Sequence, residues 1–466
     1  MPSNSVERYE AIIIGSGQAG TPLARAFAEA GRKTALVERE HVGGTCINEG
    51  CTPTKTMIAS ARIAHLASIA ESFGVTCGPI AVNLERVRAR KKAIVETFRS
   101  GSERRLAETE NLDLIAGEGR FVSPHRIEVR ASDGSIRALE APAIFIDVGG
   151  RPRHPRIDGL DRIAALDSTS IMELESVPDH LIVLGGGYVG VEFAQMFSRF
   201  GSRVTIIQRR DQLLPREDSD IADLVADVFR SEGITIEFGA DAISVRPEEK
   251  DALRLTIRTE TGERVVRGTH LLLASGRQPN TEDLGLDAAG MRTDERGYVL
   301  TNERLETNVS GIYALGDVKG GPAFTHISYD DFRVVRTNLL EGGNASIRDR
   351  LVPYTVYIDP QLGRIGLTEK EALEAGLPIR VARMPMDYVA RALEVNDSRG
   401  AMKAIVHAET DRILGAAVFG LEGGEITSAI QVAMMGDLPS SALRDAIFAH
   451  PTLTESLNNL FASFPD

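Results

Sequence analysis

Tyr9-Glu10-Ala11-Ile12-Ile13-Ile14-Gly15-Ser16-Gly17-Gln18-Ala19-Gly20 joins a short apolar run to three glycines at Gly-x-Gly-x-x-Gly spacing. An unbroken apolar run of this length suits a parallel strand covered on both faces. The pattern that follows predicts a helix to about Ala30, ended by Gly31, and then a strand over Thr34-Ala35-Leu36-Val37 that ends on Glu38. Alone, the glycine spacing is a weak signal. Placed between a strand and a helix, with an acid 18 residues past Gly20, it marks a dinucleotide-binding βαβ unit. Gly15, Gly17 and Gly20 allow the tight turn and let a pyrophosphate reach the helix N-terminus. Glu38 is placed to accept hydrogen bonds from ribose hydroxyls.

The same grammar recurs later. His180-Leu181-Ile182-Val183-Leu184 is a strand, Gly185-Gly186-Gly187-Tyr188-Val189-Gly190 a phosphate loop, Val191 to about Phe200 a helix, and Arg203-Val204-Thr205-Ile206-Ile207 a second strand. Here the residue 18 past the last glycine is Gln208, with Arg209 and Arg210 next and Arg216 beyond. A carboxylate would repel a 2′-phosphate, whereas guanidinium groups pair with one. The first site therefore suits a dinucleotide with a free 2′-hydroxyl, and Gly185, Gly187 and Gly190 suit NADPH, with NADH as the alternative. Each unit continues into alternating strands with a polar turn, over Arg120–Leu139 and Leu253–Val266. Each then reaches an apolar strand and a glycine turn, at Ala143–Pro152 and at Leu271–Pro279, the latter containing Gly276. The chain is internally duplicated. From Val352 it reads as a separate α+β segment, with strands near Thr355–Ile358, Met402–Val406 and Ala416–Gly420 and helices near Glu425–Met435 and Ser440–Ala446.

Between the first unit and its meander stands Gly43-Gly44-Thr45-Cys46-Ile47-Asn48-Glu49-Gly50-Cys51-Thr52-Pro53-Thr54-Lys55. Five residues of α-helix rise about 7.5 Å, and a disulfide needs Cα atoms within roughly 4.4–6.8 Å. The segment must therefore bend if Cys46 and Cys51 bridge, and Gly43, Gly44 and Gly50 supply the freedom. A helix is predicted from Thr54 to about Leu66. A thiol at its start, with Lys55 nearby, should have a lowered pKa. A dithiol holds two electrons as a disulfide and a nucleotide cofactor supplies them, so the pair reads as redox-active rather than as a staple.

Composition frames these readings. With 466 residues the chain should hold two to four domains. A hydrophobic content of 42% and a charged content of 26% are those of a soluble globular protein. A net charge of −13 argues against a nucleic-acid partner. No apolar run is long enough to span a membrane, and the stretch before Tyr9 does not read as a signal peptide. Three cysteines fit a reducing compartment, most simply the cytoplasm. The third, Cys77, is expected in a turn or short strand with a structural role. No metal-ligand cluster is predicted.

In combination, Gly15–Gly20 with Glu38, Cys46–Lys55, Gly185–Gly190, Gly316-Asp317 and His450-Pro451-Thr452-Leu453-Thr454-Glu455 resemble the class I flavoprotein disulfide reductases. That is the family of dihydrolipoamide dehydrogenase, glutathione reductase and mercuric reductase, and the likeness runs over nearly the full length. It implies an α/β protein with two Rossmann-like domains, FAD-binding over 1–150 with 280–350 returning to it and NAD(P)-binding over 151–279. A C-terminal α+β dimerisation domain over 351–466 completes it. It implies FAD on Gly15, Gly17, Gly20 and Glu38, with Gly44, Thr45, Lys55, Gly117 and Asp317 around it. It implies the nicotinamide cofactor on Gly185, Gly187, Gly190 and Gly276, with Arg209 and Arg210 and with Tyr188 as the ring shielding the flavin. Cys51 matches the flavin-proximal thiol, Cys46 the interchange thiol, His450 the acid/base and Glu455 its orienting carboxylate. The family is homodimeric because that histidine serves the other subunit.

Gly321–Asp331 and Thr54-Lys55-Thr56 resemble a mercuric-reductase-like bacterial branch that includes a copper(II) reductase linked to reactive-chlorine resistance. Mercuric reductases end on a vicinal cysteine pair, whereas this chain ends Leu460-Phe461-Ala462-Ser463-Phe464-Pro465-Asp466, so efficient mercury(II) handling is not expected. The expected activity carries electrons from NAD(P)H through flavin to Cys46–Cys51, and on to a disulfide, a metal ion or another small oxidant. The rival readings are a dihydrolipoamide dehydrogenase of an acyl-transfer complex and a non-catalytic flavin-binding redox sensor.

Overall fold

The structure, a computed structural model, describes residues 6–249 and 252–464. Met1–Ser5, part of the stretch before Tyr9 that does not read as a signal peptide, and Pro465 and Asp466 lie outside the described residues. Contacts divide the chain into two units. One takes in the chain up to Thr56 with Arg86–Arg153 and Arg277–Arg350; the other takes in Met57–Glu85, His154–Gly276 and Leu351 onward.

The first unit is built on a five-stranded parallel sheet in the order Ile312–Ala314, Ala143–Ile146, Ala11–Ile14, Thr34–Glu38, Leu112–Ala116. Period-two alternation sends successive side chains of the Ala11–Ile14 strand to opposite faces. Ala11 and Ile13 pack with Leu23, Phe27, Phe145 and Phe332 on the helical side. Ile12 and Ile14 pack with Phe121, Ile127, Val129 and Leu139 of the antiparallel meander. That two-sided burial is why the strand reads as continuously apolar. The helix after the glycine loop runs Gly20–Glu29.

The second unit repeats the plan on a four-stranded parallel sheet, ordered Thr235–Glu237, Arg203–Ile207, His180–Leu184, His270–Leu273. The helix here starts at Tyr188, earlier than the expected Val191, and runs to Phe200. The three-stranded antiparallel sheet Asp241–Pro247, Leu253–Thr259, Gly262–Gly268 packs Val245, Leu255 and Ile257 against Ile182, Ile207 and Leu271. The C-terminal part is a five-stranded antiparallel sheet ordered Tyr354–Val356, Gln361–Gly366, Ile413–Gly420, Ala401–His407, Ile379–Pro385, with helices Gly423–Met435, Ser440–Arg444 and Ser456–Ala462. The strands Gln361–Gly366 and Ile379–Pro385 extend the three expected there.

Two features depart from expectation. Cys77 is exposed in the irregular stretch 75–83, with no packing that a structural role would need. Immediately after it, a helix that the apolar periodicity did not reveal runs Leu84–Ala107. Its buried positions, Leu84, Lys91, Val95 and Leu106, share one face but are too sparse, and one is a lysine, so the amphipathic signal is faint. Among the described residues, no helix is long and apolar enough to cross a membrane.

Candidate active site

The first glycine loop is a turn that only glycine fits. Gly15 has φ +99°, and a Cβ there would run into the Asp147 carbonyl. A Cβ at Gly17 would come within 2.7 Å of the Asp147 carboxylate, and one at Gly20 would meet the Gly15 carbonyl. Glu38 braces the loop: its Oε2 accepts from the Ser16 N–H at 3.0 Å and from the Ser16 hydroxyl at 2.5 Å. Gly117, at φ +156°, follows the neighbouring strand and donates its N–H to the Glu38 carbonyl at 2.8 Å. Asp147, on which the sequence placed no role, is buried and accepts the Gly20 N–H at 2.7 Å. Burial holds its carboxyl well above the usual carboxylate range. The Gly20 hydrogen bond opposes this, while Asp317, Asp331 and Glu38 reinforce it. Asp317 is likewise pushed up by burial, with Arg277, 3.8 Å away, and Lys319 pulling it down.

The two cysteines lie on separate helices. Cys46 belongs to the short helix Gly44–Asn48, and Cys51 is the first residue of Cys51–Ser68, which begins three residues before the expected Thr54. Glu49 and Gly50 break the path between them, and a Cβ on Gly50 would press on the Thr45 carbonyl at 2.9 Å. The segment is docked on the glycine loop: the Gly43 N–H donates to the Ser16 carbonyl and hydroxyl, each at 3.1 Å, and a Cβ on Gly44 would sit 2.8 Å from the Gly17 Cα. Both cysteines are thiols here. Cys46 is hydrogen-bonded to Cys51, and that bond raises its pKa most; burial and the charge on Cys51 add to it, while the Thr325 hydroxyl and Lys55 act in the opposite sense. The expected lowering therefore does not extend to Cys46, which holds its proton towards Cys51. Cys51 Sγ lies 3.3 Å from Thr325 Oγ1, on the first residue of the helix Thr325–Leu340. No local pattern points to Thr325, 274 positions away.

In the second unit Gly185 has φ +114°, and a Cβ there would meet the Ala274 carbonyl, while Gly187 and Gly276 face open space. Gly190 packs against the Gly185 carbonyl. Gln208 is buried and turned inward: its Oε1 accepts the Gly186 N–H at 3.1 Å and its amide donates to the Gln212 carbonyl at 2.8 Å. Arg209, Arg210 and Arg216 are exposed beside it. Tyr188 donates to Glu217 Oε1 at 3.4 Å and pairs with the Tyr354 ring at 5.2 Å. Tyr354 donates to the same oxygen at 2.5 Å, and Arg364 stands 3.5 Å from the other one. Burial, then the Glu217 charge, pushes the Tyr188 phenol up to about 12. This cluster around Tyr188 was not foreseen.

His450 and Glu455 form a pair of their own. His450 Nδ1 lies 2.9 Å from Glu455 Oε2 on an exposed turn. A carboxylate there selects the Nδ1–H tautomer and leaves Nε2 as the proton-accepting atom.

The chain matches known proteins over almost its whole length. The family model described as pyridine nucleotide-disulphide oxidoreductase matches residues 9–331, and the dimerisation domain of that family matches residues 352–461. The probable pyridine nucleotide-disulfide oxidoreductase RclA of Escherichia coli (strain K12) is 40% identical over 461 residues, covering 98% of this chain and 99% of that one. A mercuric reductase of Streptomyces lividans is 34% identical, covering 96% and 94%. The solved Cu(II) complex of the HOCl-induced flavoprotein disulfide reductase RclA from Escherichia coli superposes with a TM-score of 0.89 at 39% identity, over 98% of this chain and 99% of that one.

Proposed function

The chain belongs to the pyridine nucleotide-disulphide oxidoreductase family, and from that premise we propose that it takes electrons from NADPH and delivers them through the Cys46–Cys51 dithiol to copper(II). It is a flavin-dependent oxidoreductase of the disulfide reductase type, with FAD and a nicotinamide dinucleotide as the family's cofactors. The assignment of copper(II) rests on the similarity to RclA, which has been solved as a Cu(II) complex. We assign FAD to residues 1–150 and 280–350, the nicotinamide cofactor to 151–279 and homodimer formation to 351–466. A cytoplasmic location fits the free thiols.

The residues present suit the cofactors. Gly15, Gly17 and Gly20 form a cradle that any Cβ would fill, at the head of a helix whose amides attract phosphate. Glu38 stands beside it as the ribose acceptor, with Gly44, Thr45, Lys55, Gly117 and Asp317 around it. Bound there, FAD supplies two-electron transfer from a nicotinamide to a disulfide. Gly185, Gly187, Gly190 and Gly276 leave room for the second dinucleotide, whose 2′-phosphate would pair with Arg209 and Arg210. Tyr188 would be the ring that shields the flavin until the nicotinamide arrives.

Reduction of the disulfide breaks one S–S bond and leaves two sulfurs sharing one proton. Cys51 carries the negative charge, stabilised by the Thr325 hydroxyl, and Cys46 keeps the proton. His450, oriented by Glu455, removes that proton from Cys46 of the other subunit, so that both sulfurs meet the metal as thiolates. Two copper(II) ions then take one electron each, giving two copper(I) ions and re-forming the S–S bond. One observation carries this reading: the Cys46–Cys51 hydrogen bond lies on a segment whose Gly44 packs on Gly17 of the nucleotide loop. The test is steady-state turnover with copper(II), mercury(II), lipoamide, glutathione disulfide, quinones and dioxygen, each with NADPH and NADH. Copper(II) with NADPH should give the highest kcat/KM; a higher value with lipoamide and NADH would replace this reading by a dihydrolipoamide dehydrogenase.

A further inference from the structure

Asn48 stands between the two cysteines, at the end of the five-residue helix that carries Cys46. A helix this short has no stability of its own, because nucleation is unfavourable and too few bonds follow it. Its entry is also left-handed, at Gly43 (φ +103°) and Gly44 (φ +60°). Contacts outside the helix must therefore define where Cys46 sits.

Asn48 supplies them. Its amide nitrogen donates to the carbonyls of Gly44 at 3.0 Å, Val42 at 3.1 Å and His41 at 3.4 Å, gathering the whole entry of the helix onto one side chain. Its oxygen accepts from Arg99 Nε at 2.8 Å. Arg99 belongs to the helix Leu84–Ala107, and the ion pair it makes with Glu96, at 3.8 Å with the Glu96 side chain 64% exposed, is a loose one. An arginine nitrogen only donates, so Arg99 dictates which end of the Asn48 amide faces the carbonyls. Cys51, by contrast, is held at the start of the long helix Cys51–Ser68, where the Thr54 N–H bonds the Gly50 carbonyl at 3.1 Å. The two sulfurs are thus carried by different elements, and only one of those elements is self-supporting.

We propose that Arg99 is a positioning residue for the redox pair, acting through Asn48 to hold Cys46 within bonding reach of Cys51. This rests on the reading of Cys46–Cys51 as the redox centre. Holding Cys46 raises the effective concentration of one thiol for the other and so favours the disulfide over two thiols. Formation of the S–S bond from a pair sharing one proton releases two electrons and that proton; the glutathione couple used in the test takes them up, with a second proton from water, as one disulfide becomes two thiols.

The test is the dithiol–disulfide equilibrium of the holoenzyme in glutathione redox buffers, with trapping of free thiols by iodoacetamide. Arg99→Met and Asn48→Ala should each lower the equilibrium constant for disulfide formation about tenfold, which is about 30 mV towards a more oxidising potential. The double variant should go no further, since both act on one link. A bond that merely stabilised the fold would lower the melting temperature and leave the potential in place. An unchanged potential in Arg99→Met, or additive shifts in the double variant, overturns the inference. Should Arg99→Met not fold, Arg99→Lys, which moves the donor away from the Nε position, is read against the same two outcomes. Cys46→Ser separates the layers: if it keeps acceptor turnover, the redox reading itself fails; if it loses turnover while Arg99→Met holds the wild-type potential, only the role of Arg99 fails.

Discussion

Gln208 gives its side-chain oxygen to the Gly186 amide at 3.1 Å, as Glu38 gives its own to the Ser16 amide at 3.0 Å. The two residues occupy equivalent places in the duplicated units, and each braces the second residue of its glycine loop. The neutral amide keeps this structural task while removing the charge that would repel a 2′-phosphate. It also uses its nitrogen on the Gln212 carbonyl, so the cofactor preference proposed above rests on the exposed arginines beside it.

The first prediction follows from that division of labour. Arg209→Ala with Arg210→Ala should lower kcat/KM for NADPH by about ten- to hundredfold, the worth of charge-assisted hydrogen bonds of roughly 1.5–3 kcal/mol. The value for NADH should change little, and the loss should lie mainly in KM. Equal losses with both cofactors would mean that the arginines serve the loop and not the phosphate.

The dithiol makes a second prediction. Cys46→Ser and Cys51→Ser should each abolish turnover with copper(II), because electrons leave through the thiols, while NADPH still bleaches the flavin absorbance in a stopped-flow trace. The two should differ in the long-wavelength thiolate-to-flavin band, kept by Cys46→Ser and lost in Cys51→Ser. Full turnover in both variants would make the pair structural.

Thr325→Val is a sharper probe of the same site. It removes the hydroxyl 3.3 Å from Cys51 Sγ at nearly constant volume. A hydrogen bond to a charged group is worth roughly 1.5–3 kcal/mol, and one pKa unit corresponds to about 1.4 kcal/mol. The thiolate should therefore become harder to form, with the pH midpoint for iodoacetamide reaction of the reduced enzyme moving up by about one unit or more. A midpoint unmoved by the substitution would show that the hydroxyl donates elsewhere.

Asp147 sets the fourth. Burial raises its folded-state pKa, so in the folded protein it keeps its proton where the unfolded chain, titrating near 3.9, has lost it. Folding stability is then fully present below that unfolded value and falls as pH rises towards the folded one. Asp147→Asn keeps an acceptor for the Gly20 amide and has no charge to bury. The variant should melt at a higher temperature than the parent at pH 8, with a gain that shrinks on going to pH 4. A gain independent of pH would trace the effect to packing.

Much of the protein was legible from its residues because the deciding patterns are local. A strand, a glycine turn, a helix and a terminal acid or amide lie within about thirty residues of one another, and backbone sterics alone demand glycine at Gly15 and Gly185. The dithiol was legible because the glycines around it forecast the break that the chain makes at Glu49 and Gly50. Cys77 was misread because a cysteine's burial depends on what packs over it, and the irregular stretch 75–83 brings nothing there.

By itself, then, the sequence determined the duplicated nucleotide-binding plan, the bent segment that carries Cys46 and Cys51, and the absence of an acid at position 208. Only the tertiary structure decided which partners those residues meet. Thr325 reaches Cys51 across 274 positions and Arg99 reaches Asn48 across 51, and Gln208 turns inward although its place in the chain equally permitted a turn to solvent. Periodicity reports which face of an element is buried. A hydrogen bond depends on distance and direction to within a few tenths of an ångström, and those are set only when separate elements have packed.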